Sequence, residues 1–194
     1  MDERRRAAGP LLILAILFTP IVAGGAYQEC CRRRIASNER EASAALKQIA
    51  SAEADFRSND RDGNRVQDFW VGDVVGLYRY GRLIDLSLAE ADARPLRPAV
   101  PTARAGYYFI AMQLYGDDSG TLLVYGQDTD GSGRKVHNPS SFAFCAYPAV
   151  YGVTGRQTFI ISEGNTILTF DTGGTPLIQW PFDSSLKSHW EKID

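Results

Sequence analysis

The sequence predicts an α+β protein: an N-terminal membrane helix and an amphipathic helix, followed by an antiparallel β-sheet. Three observations carry this. Residues 10–26 carry no charge; residues 35–56 repeat apolar side chains every seven positions; and from residue 106 on, short aromatic and β-branched runs alternate with turn residues.

The first element is the run from Pro10 to Ala26, 17 uncharged residues behind the basic leader of residues 1–9. That length sits at the lower limit for a helix crossing the hydrocarbon core, about 17–25 residues. Small residues at Gly24 and Ala26 also fit a signal-peptidase site. Positive charge follows at Arg32, Arg33 and Arg34, which opposes translocation and favours an uncleaved segment. Residues 10–26 are therefore read as a transmembrane or signal segment. The expected arrangement is a single-pass anchor, N-terminus inside, with the domain outside the cytoplasm.

Residues 27–58 follow as an amphipathic stem. Ile35, Ala42, Ile49 and Phe56 lie at sevenfold spacing, with Ala45 or Leu46 and Ala52 in the intermediate turns. Asn38 and Glu41 have the spacing of a capping box, should the helix restart there. Asp, Gly and Asn then break the pattern from about Asn59, where the domain of residues 59–194 begins. A short helical or mixed stretch covers 72–93, and the proline-rich "RPLRPAVPTARAG" reads as an extended connection.

The strands are expected in "GYYFIAMQLY", "GTLLVYGQ", "SSFAFCAYPAV", "RQTFIISE" and "NTILTFDT". In "ISEGNTI", Gly164 and Asn165 suit positive φ in a tight hairpin, and "YGDDSGT" reads as another turn. Such closely joined strands make an antiparallel meander. Trp180 and Trp190 are expected to pin the C-terminal tail on the sheet.

With 194 residues the chain holds one domain plus an appendage, and its net charge of -2 offers no basic surface for nucleic acid. Three cysteines form no disulfide framework: Cys30 and Cys31 are adjacent, and Cys145 sits in an apolar strand. The expected partners are the membrane and like subunits or other envelope proteins.

Chemistry is sparse. Asp60, Asp62 and Asn64 have the Asp-x-Asp-Gly spacing that gathers oxygens around a hard cation, and Asp128 and Asp130 repeat it. Neither loop completes a twelve-residue calcium hand, so ordinary turns and no cofactor are expected, with calcium as the alternative. His137 and His189 lack a nucleophile motif, Ser184 with Lys187 matches Ser-x-x-Lys without its companion motifs, and no enzymatic activity is expected. Tyr107, Tyr108, Phe109, Phe142, Phe144 and Tyr147 form either a core or a stacking platform.

Two resemblances follow. A basic leader ending in Gly9, an apolar helix, an amphipathic continuation and then an antiparallel sheet together resemble type IV pilins and pseudopilins, with departures at Pro10 and at Leu14, where pilins carry Glu. The phrases "AGYYF", "FAFCAYPAVYGVTGRQTFIISEGNTILTFDTGG" and "HWEKID" are similar to those of uncharacterised exported bacterial proteins, pilin-like ones of planctomycete-type bacteria among them. The resemblance implies export and an α+β fold, and no reaction. The expected function is a membrane-anchored, extracytoplasmic, pilin-like structural or assembly component of the envelope. The alternative is an exported ligand-binding domain using an aromatic sheet face, released after signal cleavage.

Overall fold

The computed structural model describes the backbone of residues 9–116, 120–126, 128–129 and 135–193, and the side chains of these except 9–26, 128–129 and 135–136. Among the described residues no helix is long and apolar enough to cross a membrane. The side chains of the uncharged run 10–26 lie outside that description, as does the leader before residue 9.

Helix α1 runs unbroken from Gly9 to Asn59, about 77 Å at 1.5 Å per residue. Its sevenfold stripe is the reason it docks: Ala42, Ala45, Leu46, Ile49, Ala52 and Phe56 are buried on one face, whereas Ile35 is only half-buried. Asn38 and Glu41 do not restart the helix. Asn38 Nδ2 instead donates to the Thr154 carbonyl at 2.8 Å, Glu41 is exposed, and Glu39 accepts from the backbone amides of Arg156 and Gln157. N-terminal to these contacts, residues 27–30 and 32–34 are exposed, Tyr27 at 71%.

Two short helices follow, α2 (Val74–Arg79) and α3 (Leu86–Glu90), each N-capped by an aspartate. Asp73 accepts from the Gly76 amide at 2.7 Å and Asp85 from the Leu88 amide at 2.9 Å, satisfying donors that the first helical turn leaves open.

The main sheet has the order β1-β6-β7-β8-β9, all antiparallel: β1 (Tyr107–Ala111), β6 (Ala143–Pro148), β7 (Thr158–Ser162), β8 (Leu168–Phe170) and β9 (Glu191–Lys192). Two two-stranded ribbons interrupt the order between β1 and β6: β2 (Leu114–Gly116) with β3 (Leu122–Val124), and β4 (Asp128–Thr129) with β5 (Lys135–Val136). The run expected as one strand, "GYYFIAMQLY", thus breaks at Met112 and Gln113, and only β6, β7 and β8 form a meander. Helix α4 (Asp183–His189) then delivers β9 to the sheet edge.

At the β7–β8 turn the structure corrects one expectation. Asn165 has φ of 52°, while Gly164 keeps an ordinary φ. The Lys47 ammonium on α1 donates to the Asn165 carbonyl, which ties this turn to the helix.

Period-two alternation sorts the aromatic residues onto two faces. Tyr107, Phe109, Phe142 and Phe144 join the core beneath α1, where Phe142 lies 5.0 Å from Phe69 and 5.9 Å from Phe144. Tyr108 and Tyr147 pair on the opposite face, ring centroids 5.9 Å apart. Four of the six rings expected as core or platform are therefore core, covered by the helix. Cys145 is a fully buried free thiol, and burial pushes it up to about 12, so it stays protonated and inert.

Candidate functional site

The first Asp-x-Asp-Gly segment forms the loop that leaves α1. Asp60 has φ of 47° and both its carboxylate oxygens accept from the Arg65 amide at 3.1 Å. Asp62 Oδ1 accepts from the Asn64 amide at 3.3 Å, and Asn64 Oδ1 accepts from the Val66 amide at 2.7 Å. These oxygens close turns within the loop itself, the local behaviour expected of Asp and Asn. Asn64 Nδ2 donates to Asp68 Oδ2 at 3.0 Å. The second segment is described only through the backbones of Asp128 and Thr129, which pair with Val136 and Lys135; Asp130 lies outside the described residues. Among the described residues no group of three or more His, Cys, Asp or Glu side chains is placed to hold a metal ion.

What the loop does hold is a buried polar knot that sequence spacing did not reveal. His137 is 3% exposed and its Nε2 lies 3.3 Å from Asp62 Oδ2. Its backbone amide donates to Asp68 Oδ2 at 2.6 Å, across 69 positions of sequence. The Phe69 and Asn138 backbones exchange two hydrogen bonds beside it, so the loop is tied to the chain that follows β5. The imidazole packs against Trp70, centroids 4.6 Å apart, and edge-on to Phe56 at 6.0 Å. From α1, the fully buried Glu53 accepts from the Trp70 amide at 2.8 Å through Oε2.

One carboxylate oxygen each of Glu53 and Asp68 is buried with no protein partner among the described residues. Burial raises Glu53 well above the ordinary carboxylate range; the Trp70 amide opposes the rise and the Asp68 charge adds to it. Burial also raises Asp62, against the Asn64 amide and the charge of His137. Burial, with the Asp68 charge behind it, thus favours the neutral form of Glu53. His189 stands apart: exposed, with Nδ1 2.6 Å from the Ser188 hydroxyl next to it. His137 has a carboxylate partner but is walled in by the rings of Trp70 and Phe56.

A second pair of buried acids braces α2. Asp73 Oδ2 accepts from the Leu96 amide at 2.8 Å, and its backbone carbonyl accepts the Trp70 indole N–H at 2.6 Å. Asp92 Oδ2 accepts from the amides of Val74 and Val75 at 2.7 and 3.0 Å, and Oδ1 from that of Arg94 at 2.8 Å. Burial pushes Asp92 up to about 6, assisted by the Asp73 charge and opposed by the three amides. The folded state therefore holds a proton that the unfolded chain releases between about pH 4 and 6, so Asp92's contribution to stability falls as pH rises through that window, by about 3 kcal/mol in all. Carbon-detected NMR titration of its carboxyl group should give a midpoint near 6. A midpoint in the ordinary range, about 4, would mean that the three amides outweigh burial.

A family model described as "Protein of unknown function (DUF2950)" matches residues 22–177. The chain belongs to the DUF2950 family. Comparison with curated proteins found no match, and comparison with solved structures found none either. The DUF2950 match takes in the C-terminal part of α1, the acid-rich loop, His137 and the sheet through β8, and stops before α4 and β9. The polar knot is therefore within the family region, and the tail carrying Trp180 and Trp190 lies beyond it.

Proposed function

We propose that this protein is a membrane-tethered, extracytoplasmic, pilin-like component of the cell envelope, structural or assembly-related and without a reaction of its own. The observation that carries the reading is helix α1. One helix reaches from Gly9 to Asn59 with one face of residues 42–56 in the core, while residues 27–30 and 32–34 stand exposed. A helix locked into a sheet at one end and continuous with an uncharged run at the other transmits position rigidly between the two. That arrangement suits a stem better than a flexible tether, which would be rich in Gly, Ser or Pro.

The proposed partners follow from the same layout: the bilayer for residues 10–26, and like subunits or other envelope proteins for the exposed residues 27–30 and 32–34 and for the domain. Arg32, Arg33 and Arg34 then lie just beyond the run, where anionic headgroups are within reach. Arg33 also pairs with Glu29 at 2.8 Å, an exposed contact of little energetic weight.

Membrane fractionation of the native protein with mass spectrometry of its intact N-terminus tests the reading. The expected result is a detergent-extractable chain whose mass includes residues 10–26. A start at Pro10 would favour the filament form of the proposal. A soluble chain starting near Tyr27 would overturn the tether.

A further inference from the structure

The face of the sheet away from α1 carries a feature that the envelope reading does not use. Phe170 of β8, Leu177 and Trp180 of the returning strap, and Trp190 after α4 line an open cleft of about 490 Å³. Phe170 and Trp190 lie with centroids 5.6 Å apart. Polar groups rim the same cleft, Gln179 and Thr175 among them. On the other side of Trp180 and Pro181 lies a second hollow of about 280 Å³, bounded by Gly116, Phe182 and Asp183. A Cβ on Gly116 would stand 2.2 Å from the Phe182 ring, so glycine is what lets that ring form the wall.

The hydrogen-bonding state of the tryptophans separates this region from the core. Buried Trp70 gives its indole N–H to Asp73, as an interior tryptophan does. Among the described residues, the indole N–H groups of Trp180 and Trp190 and the side-chain amide of Gln179 make no hydrogen bond, although all three residues are half-buried. Unused donors beside ring faces in a concave site fit a ligand with a flat apolar face edged by hydroxyls or amides. Two hollows sharing one tryptophan wall fit a ligand that repeats along its length.

We infer that the Trp180 cleft and its neighbour bind a neutral glycan chain, one pyranose ring in each hollow, with the ring faces on Trp180 and Trp190 and the ring substituents bonded to the indoles and Gln179. Asp183 in the second hollow disfavours an anionic sugar there. An extended peptide is the weaker candidate, because the lining is dominated by ring faces and polar side chains. The inference does not depend on the membrane tether.

Full-length protein in detergent micelles, titrated with cellohexaose and with the hexamer of N-acetylglucosamine, tests it by tryptophan fluorescence and saturation-transfer NMR. At least one hexamer should give a saturable response below about 1 mM. Trp180→Ala should weaken it about tenfold or more, with Trp180→Phe restoring most of the affinity. Gln179→Ala, which removes a side chain that makes no hydrogen bond among the described residues, should weaken binding with little change in melting, and so holds even if the tryptophan variant folds poorly. No saturable response to either sugar, or one unaffected by both Trp180→Ala and Gln179→Ala, overturns the inference. A response to an extended peptide alone does so as well.

Discussion

Ile49→Asp is expected to abolish the cooperative unfolding transition of the domain. Ile49 is fully buried in the face of α1 that covers the sheet. Truncating such a side chain costs about 2–5 kcal/mol, and placing an unpaired carboxylate there adds several more. The total stability of a domain is about 5–15 kcal/mol, so the sum consumes most or all of it. The same helix shows why an acid one turn later is tolerated. Glu53 is as deeply buried, but it takes the Trp70 amide at 2.8 Å, and its burial favours the neutral form. Ile49 has apolar neighbours on its stripe, Leu46, Ala45 and Ala52, which donate no side-chain hydrogen bond. The control is a double charge reversal at exposed positions of the helix, Arg40→Glu with Glu41→Lys, which should change stability by less than about 0.5 kcal/mol. Urea titration followed by circular dichroism reads both. An Ile49→Asp protein with the parental midpoint would mean that α1 does not hold the sheet.

That contrast between positions 49 and 53 marks how far the sequence could be read. The apolar stripe at 42, 45, 46, 49, 52 and 56 is visible because a helix buries one face at fixed spacing. Glu53 is not, since a buried acid looks like a surface acid until its partner, 17 positions away, is in place. The strands are visible from their composition, but the breaks at Met112 and Gln113 depend on where the β2–β3 ribbon leaves the sheet. Alternation predicts that Tyr107 and Phe109 share a face; it does not say that α1 covers that face and leaves Trp180 and Trp190 on the other. The Asp-x-Asp-Gly spacing predicts a turn at residues 60–64, which forms. Its side chains then meet His137, brought in from far along the chain, and no local pattern encodes that meeting. Gly164 and Asn165 illustrate the finest level: both tolerate positive φ, and the contact of Lys47 with Asn165 accompanies the residue that adopts it.

Gly76→Ala puts two opposing effects on one residue. Gly76 is inside α2, where alanine is ordinarily the better helix former by about 0.8–1.0 kcal/mol. Its φ is not positive, so backbone strain plays no part. Space decides instead. A Cβ on Gly76 would lie 2.1 Å from both Nε1 and Cε2 of Trp70, and 2.4 Å from Cζ2. The indole is a rigid ring that is 4% exposed, so it cannot swing its end away as a flexible chain would. Moving it would break the indole N–H bond to the Asp73 carbonyl and unseat the contacts of Trp70 with Phe56, Tyr80 and His137 at 6.0, 4.9 and 4.6 Å. Losing the seat of a buried tryptophan costs about 3–5 kcal/mol, several times the helical gain. The variant should therefore melt well below the parent, with a red-shifted and less structured tryptophan signal as the indole meets water. Pairing it with Trp70→Leu separates the terms, since with the ring gone the alanine should cost far less than it does alone. An alanine variant as stable as the parent would mean that α2 and Trp70 can part without loss, and that the polar knot of Glu53, Asp62, Asp68 and His137 does not rely on the ring packed against it.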